Sequence, residues 1–136
     1  MKKSKVGFWF VWTIFALALI FIQSLLPAEK SDAESGALYK LLVVYFPDLT
    51  HELLRKMAHF GEFFLLGFGM QGTLYYGKKF NLSKPILFCT LVAMADETIQ
   101  LEVAGRSSQL LDVWIDVAGA FFGIMVLWCI FKLQKK

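Results

Sequence analysis

The feature of this sequence that most restricts its fold is a long apolar run near the N-terminus, from Val6 to Leu26, in which no residue is charged. A helix of this length spans the hydrocarbon core of a bilayer. A cleaved signal peptide is the alternative, but its apolar core would be shorter and a small-x-small cleavage site would follow it. Here the run ends in SLLPAEK. We therefore expect an uncleaved first membrane span.

The whole chain is too apolar for an ordinary soluble domain. Hydrophobic residues make up 57% of its 136 residues, and the mean hydropathy is +0.58. A chain of this length is also too short for two domains. We therefore predict a single domain, residues 1–136, with the fold class of an all-α membrane protein with four transmembrane helices. The predicted spans are residues 6–26, 54–76, 82–103 and 110–131.

The first connection, residues 27–52, contains an apolar segment that is too short to cross a bilayer. In this segment, ALYKLLVVYF (37–46), helical spacing relates Tyr39, Leu42, Val43 and Phe46. The pattern predicts a short interfacial helix in the first outside loop. The same segment could instead pack as a plug over the bundle, and the sequence leaves both positions open.

Charged residues are divided unequally between the two predicted sides of the membrane. Nine lysines flank or end the apolar segments in three groups of three: Lys2, Lys3, Lys5, Lys78, Lys79, Lys84, Lys132, Lys135 and Lys136. The eleven acids all fall elsewhere. Because basic residues concentrate in cytoplasmic connections, we expect both termini to lie in the cytoplasm of a bacterial cell, with the protein in the plasma membrane. This topology accounts for the basic residues, so we expect no nucleic-acid partner.

Several polar residues fall inside the predicted spans, where a charged side chain at bilayer depth costs roughly 2.5–3.5 kcal/mol. Glu62, Glu97 and Asp116 lie at similar depths in the outer halves of three spans. They are accommodated at least cost in one shared, hydrated pocket that faces the outside, where carboxylates so crowded cannot all ionise freely. The predicted pocket residues are Arg55, Lys56, His59, Glu62, Asp96, Glu97, Gln100, Arg106, Asp112 and Asp116.

Glycines recur in the second and fourth predicted spans. In the fourth span, Gly119 and Gly123 continue the stripe that begins with the two aspartates. Small residues at this spacing permit close contact between membrane helices. We therefore expect the polar face of the fourth span to point into the bundle.

Together these residues resemble the VanZ-like membrane proteins, a family named for an accessory protein of teicoplanin resistance. The resemblance rests on RKMAHFGEF (55–63), DETIQ (96–100), AGR (104–106) and the two aspartates of the fourth span with the glycines that follow them. It covers roughly residues 53–125. The family often has Asn where Asp116 stands and Tyr where Phe63 stands. The resemblance implies a role in the cell envelope and in lipoglycopeptide resistance, and it carries over Lys56, His59, Glu62, Glu97, Gln100, Arg106, Asp112 and Asp116 as site residues.

We expect the pocket to bind the polar head of an amphiphile in the outer leaflet. The candidate partners are a membrane lipid, a lipid-linked cell-wall precursor and a lipoglycopeptide antibiotic. Arg55, Lys56 and Arg106 would hold phosphate or carboxylate groups, whereas the acids and Gln100 would bind sugar or amide groups.

The alternative function is a membrane enzyme that modifies such a molecule. In that case Glu62 or Glu97 would be the acid–base residue and His59 would assist it. Proton-coupled transport and an ion network that only orders the helices are two further interpretations.

A metal variant of such an enzyme would use His59, Glu62, Glu97, Asp112 or Asp116 to hold Mg²⁺ or Zn²⁺. No tight ligand motif supports it, so neither a metal ion nor another cofactor is expected. Ser107 and Ser108 have no nucleophile motif around them and are interpreted as turn residues. A homo-oligomer remains open.

Overall fold

The structure of the protein is a computed structural model that describes residues 2–79, 81–106 and 109–134, without the side chains of residues 2, 3, 28 and 31–35. The described residues form five α-helices and no strand. These helices are α1 (Lys2–Leu25), α2 (Ala28–Leu42), α3 (His51–Tyr76), α4 (Ser83–Glu102) and α5 (Leu110–Leu133). The all-α prediction is confirmed, and α1, α3, α4 and α5 coincide closely with the four apolar segments.

The helix predicted within residues 37–46 is instead the end of a longer one, α2. It starts immediately after Pro27, whose fixed φ suits the entry to a helix, and it ends at Leu42. The first half of α2 is polar, so it carries no apolar periodicity from which the sequence could predict it. The ring of Tyr39 stacks on the ring of His51 at the start of α3, with 3.8 Å between ring centroids.

α3 lies at the centre of the bundle, in contact with α1 on one side and α5 on the other. Glycines bring the backbones together, because a Cβ atom at Gly119 would overlap the Phe60 carbonyl and one at Gly123 would overlap the Phe64 carbonyl. The predicted close contact of the fourth span is therefore an α3–α5 contact. Apolar side chains from α1, α3, α4 and α5 fill the core: Ala16, Ile20, Phe63, Leu66, Cys89, Val92, Ala93 and Ala120.

Two of the described helices are long and apolar enough to cross a membrane, judged by length and composition. They are Ser4–Leu25 in α1 and Leu110–Leu133 in α5. Large apolar side chains on both face outward, including Phe15 and Trp114. α3 and α4 carry the polar residues that interrupt their apolar surfaces, and they do not meet the same criterion.

The two ends of the bundle differ in charge. At one end, the ammonium group of Lys5 lies 5.5 Å from the ring centre of Tyr76, and that of Lys132 lies 4.8 Å from the ring centre of Trp128. The ring of Tyr76 also lies 5.5 Å from the ring of Phe131 in α5, so the start of α1 and the ends of α3 and α5 meet there. Lys135 and Lys136, which belong to the same predicted group, lie outside the described residues. The buried acids lie toward the opposite end.

Candidate functional site

A small cavity of about 50 Å³ lies between α1, α3 and α4, toward the end of the bundle that is distant from the lysines. Its walls combine basic, acidic and amide side chains with few apolar ones. The lining residues are Ile20, Gln23, Ser24, Arg55, Ala58, His59, Glu62, Asp96, Gln100 and Arg106. Six of them are among the residues that the sequence predicted for the pocket.

His59 connects the three helices that carry the predicted site. Its Nδ1 atom lies 3.2 Å from Oδ1 of Asp116 on α5 and 3.7 Å from Oδ2 of Asp96 on α4. All three side chains are buried. The α3–α5 contact produces the first of these distances, since Phe60, the neighbour of His59, packs against Gly119, one helical turn from Asp116.

Asp96, one of the predicted pocket residues, receives hydrogen bonds from two helices. Its side chain is 2% exposed, and both of its oxygens accept hydrogen bonds. Oδ1 accepts from the hydroxyl of Ser24 on α1, and Oδ2 accepts from Nε2 of Gln100 at 2.9 Å. The sequence analysis missed Ser24, since a single serine near the end of an apolar span has no distinguishing pattern.

Glu97 lies beside Asp96 and is also buried. Its Oε2 atom accepts a hydrogen bond of 3.1 Å from the backbone N–H of Gln109, the residue that precedes α5. This bond joins α4 to the start of α5. A carboxylate at this position is favoured, because the first turn of a helix presents unpaired N–H groups and a partial positive charge.

Four of these side chains offer ligand atoms within 4.8 Å of one another. They are His59, Asp96, Glu97 and Asp116, from three different helices. In the described part of the chain, these four residues form a group that could hold a metal ion, although the sequence showed no ligand motif.

The two arginines have different partners. Arg106 donates from Nε to the carbonyl of Leu26 at 3.0 Å and from one terminal nitrogen to the carbonyl of Gln23 at 2.7 Å, which ties the α4–α5 turn to the end of α1. Arg55 lies 3.8 Å from Oδ2 of the buried Asp112. Its Nε atom has no hydrogen-bond partner among the described residues. Arg55 is therefore the cation of the cavity that is less committed to the fold.

Lys56, a predicted pocket residue, forms an ion pair outside the cavity. Its ammonium group lies 2.5 Å from the carboxylate of Glu52, one turn earlier on the exposed side of α3. This pairing holds the pKa of Glu52 below its usual range. Lys56 does not line the cavity, whereas Glu62 lines it and is half-buried. Ser107 and Ser108 lie outside the described residues.

Comparison with known protein families gives one result for nearly the entire chain. A family model described as VanZ/LLP1 matches residues 9–132. The match covers every part of the site. Comparisons with curated proteins and with solved structures gave no match.

Proposed function

This chain belongs to the VanZ/LLP1 family, and we propose that it crosses the bacterial plasma membrane with four helices and binds the polar head of an amphiphile on the outer side. The family is membrane-associated, and its membership suggests a function related to teicoplanin resistance. The proposed ligands are a membrane lipid, a lipid-linked cell-wall precursor or a lipoglycopeptide.

The proposed topology follows from the separation of charge along the bundle. The lysines at the ends of α1, α3 and α5 lie at one end, and Asp96, Asp112 and Asp116 lie toward the other. The positive-inside rule assigns the lysine end to the cytoplasm. α3 and α4 each have one polar side, and these sides meet inside the bundle. Both helices can therefore cross the membrane beside α1 and α5 with their apolar sides toward lipid.

One observation carries the proposed ligand class, and it is the composition of the cavity. Arg55 and Arg106 contribute positive charge, Gln100 contributes an amide, and His59 and Glu62 contribute titratable groups, all in one space of about 50 Å³. A space of this size accommodates a few water molecules or one small charged group. A phosphate or carboxylate group of an amphiphile fits this description, with its acyl chains beside the bundle in the lipid.

The test of this proposal compares two adjacent basic residues of α3. Arg55 lines the cavity, whereas Lys56 pairs with Glu52 outside it. Arg55→Gln removes a charged donor from the cavity and should weaken ligand binding about 10- to 100-fold. Lys56→Gln removes the same formal charge one residue away and should leave binding within about twofold.

Two measurements follow these variants. One is the teicoplanin resistance of cells with equal amounts of each variant in the membrane, and the other is mass spectrometry of lipids that co-purify with the full chain. Loss of both signals in Arg55→Gln alone is the expected result. Equal losses in the two variants, or no loss in either, would contradict a head-group site in this cavity.

A second candidate function, catalysis on the same amphiphile, is favoured by the arrangement of His59. A carboxylate next to Nδ1 of a histidine orients the ring and stabilises its protonated form, as in acid–base catalysis. Asp116 occupies this position at 3.2 Å, and Glu62 lines the same cavity. Purified protein would then convert a lipid-linked precursor, and His59→Gln would abolish conversion. An unchanged precursor after prolonged incubation would exclude this activity for that substrate.

A further inference from the structure

We propose that His59, Asp96, Glu97 and Asp116 bind a divalent transition-metal ion, Zn²⁺ or Mn²⁺. Their ligand atoms lie within 4.8 Å of one another. Opposite ligands of an octahedral site with bonds of about 2.1 Å lie about 4.2 Å apart. The four atoms are therefore already close to the spacing that one ion requires.

A group of three ionised carboxylates favours a bound cation. Three carboxylates, those of Asp96, Glu97 and Asp116, are 2%, 5% and 0% exposed. Buried charges in proteins are paired with an opposite charge or coordinate a metal. His59 supplies at most one positive charge, and Arg106, whose donors contact backbone carbonyls of α1, supplies at most a second. A divalent ion would balance the remaining negative charge.

A second observation concerns a single atom of Asp116. One oxygen of this side chain lies beside His59, while Oδ2 is fully buried and has no hydrogen-bond partner among the described residues. An orphaned carboxylate oxygen in the interior is costly. A metal ion in the group would supply the missing partner, because a carboxylate can coordinate it through this oxygen.

Two of the carboxylates also accept hydrogen bonds from residues outside the group of four, as metal ligands usually do. The hydroxyl of Ser24 and the amide of Gln100 donate to Asp96, and the backbone N–H of Gln109 donates to Glu97. Such outer hydrogen bonds orient ligands and are a regular feature of metal sites. Residues from α1, α4 and the α4–α5 turn thus support the two ligands on α4.

The types of ligand atom indicate which ion the group would favour. Imidazole nitrogen suits zinc and other transition metals, whereas carboxylate oxygens suit magnesium, calcium and manganese. One imidazole with three carboxylates therefore favours Zn²⁺ or Mn²⁺ over Ca²⁺ and Mg²⁺, which prefer oxygen alone. His59 is the ligand that makes this distinction.

A bound ion would also indicate the head group of the amphiphile, an inference that rests on the proposed function. The carboxylates of Glu62 and Asp96 offset part of the positive charge that the two arginines bring to the cavity, so further positive charge would strengthen the binding of an anionic head group. A metal ion beside His59, which lines the same cavity, would attract a phosphate group together with Arg55. The substrate class that fits best is therefore an amphiphile with a phosphate head.

Metal binding can be tested on the full chain purified in detergent. The chain is treated with chelator, and its melting temperature and metal content are then measured with Zn²⁺, Mn²⁺, Mg²⁺ or Ca²⁺ added. We expect about one Zn²⁺ or Mn²⁺ per chain and a melting temperature raised by about 5 °C or more. No shift and no stoichiometric metal with either transition metal would overturn the proposal.

Variants give the matched comparison. His59→Gln and Asp116→Asn each remove one ligand and should lower metal affinity at least about tenfold. Asp112→Asn, which changes another buried carboxylate of α5 outside the group of four, should retain the metal. Equal loss in all three variants would refute the assigned ligands. If a ligand variant fails to fold, the titration of the unmodified chain still decides the result.

The two proposals can fail separately. A chain that binds no metal but loses ligand through Arg55→Gln would retain the head-group site and reject the metal. A chain that binds metal stoichiometrically, but shows no difference between the Arg55 and Lys56 variants, would reject the head-group site alone.

Discussion

Substitution of Gly119 by alanine tests whether the close packing of α5 on α3 positions the site. The added Cβ would overlap the carbonyl oxygen of Phe60, a backbone atom that cannot rotate away. Non-bonded heavy atoms are most stable about 3.5–4.0 Å apart, so the helices must separate by on the order of 1 Å. His59 directly precedes Phe60 on α3. When the helices separate, the distance between His59 and Asp116, now 3.2 Å, would grow beyond hydrogen-bonding range.

The magnitude follows from two contributions. Overpacking of a close contact costs about 1–3 kcal/mol. Loss of a hydrogen bond that involves a charged group costs about 1.5–3 kcal/mol. Because the two effects share one displacement and do not add fully, we expect Gly119→Ala to lower the free energy of unfolding by about 2–4 kcal/mol.

Gly61 provides the control for this experiment, because a Cβ atom there has no neighbour within 4 Å. Gly61→Ala should be neutral or stabilising by up to about 1 kcal/mol, owing to the higher helix propensity of alanine. Thermal unfolding of the full chain in detergent, followed by tryptophan fluorescence, measures both variants. Equal melting temperatures for the two would refute the view that this glycine sets the distance between α3 and α5.

Two further predictions concern the support of Asp96 and the topology. Ser24→Ala removes a buried donor from Asp96 and should destabilise the chain by about 1–3 kcal/mol in the same thermal assay; an unchanged melting temperature would contradict a supporting role. In a Cys129→Ser background, Asp48→Cys should react with an impermeant thiol reagent added to whole cells, whereas Lys79→Cys should react only after lysis. The reverse pattern would invert the proposed orientation.

Much of the fold could be predicted because membrane helices are marked by local properties of the chain. The apolar run from Val6 to Leu26 ends within one residue of α1, and the predicted fourth span begins, like α5, at Leu110. The polar first half of α2 could not be predicted in this way. The helix as a whole contacts α3, and such tertiary packing stabilises a helix that its own apolar pattern does not mark.

The candidate site was predicted in part. His59, Glu97 and Asp116 were expected to meet because each is a costly polar residue within an apolar segment, and the structure brings them together. Ser24 and Gln23 were not expected, since uncharged polar residues near the end of a span have no such cost. The pairing of Lys56 with Glu52 was also not expected, because helical spacing does not show which of two neighbouring faces a long side chain takes.

By itself, the sequence determined the helical class of this protein, its separation of lysines from acids and the identity of its buried polar residues. Each of these depends on apolar length or on the cost of a charge in a bilayer, and both can be calculated from neighbouring residues. Only the tertiary structure decided that Asp96, rather than Glu62, joins His59 and Asp116, and that Arg106 is committed to carbonyls of α1. Those outcomes depend on how closely glycines let α3 and α5 approach and on the rotation of α4 against them, which are properties of packing between distant segments.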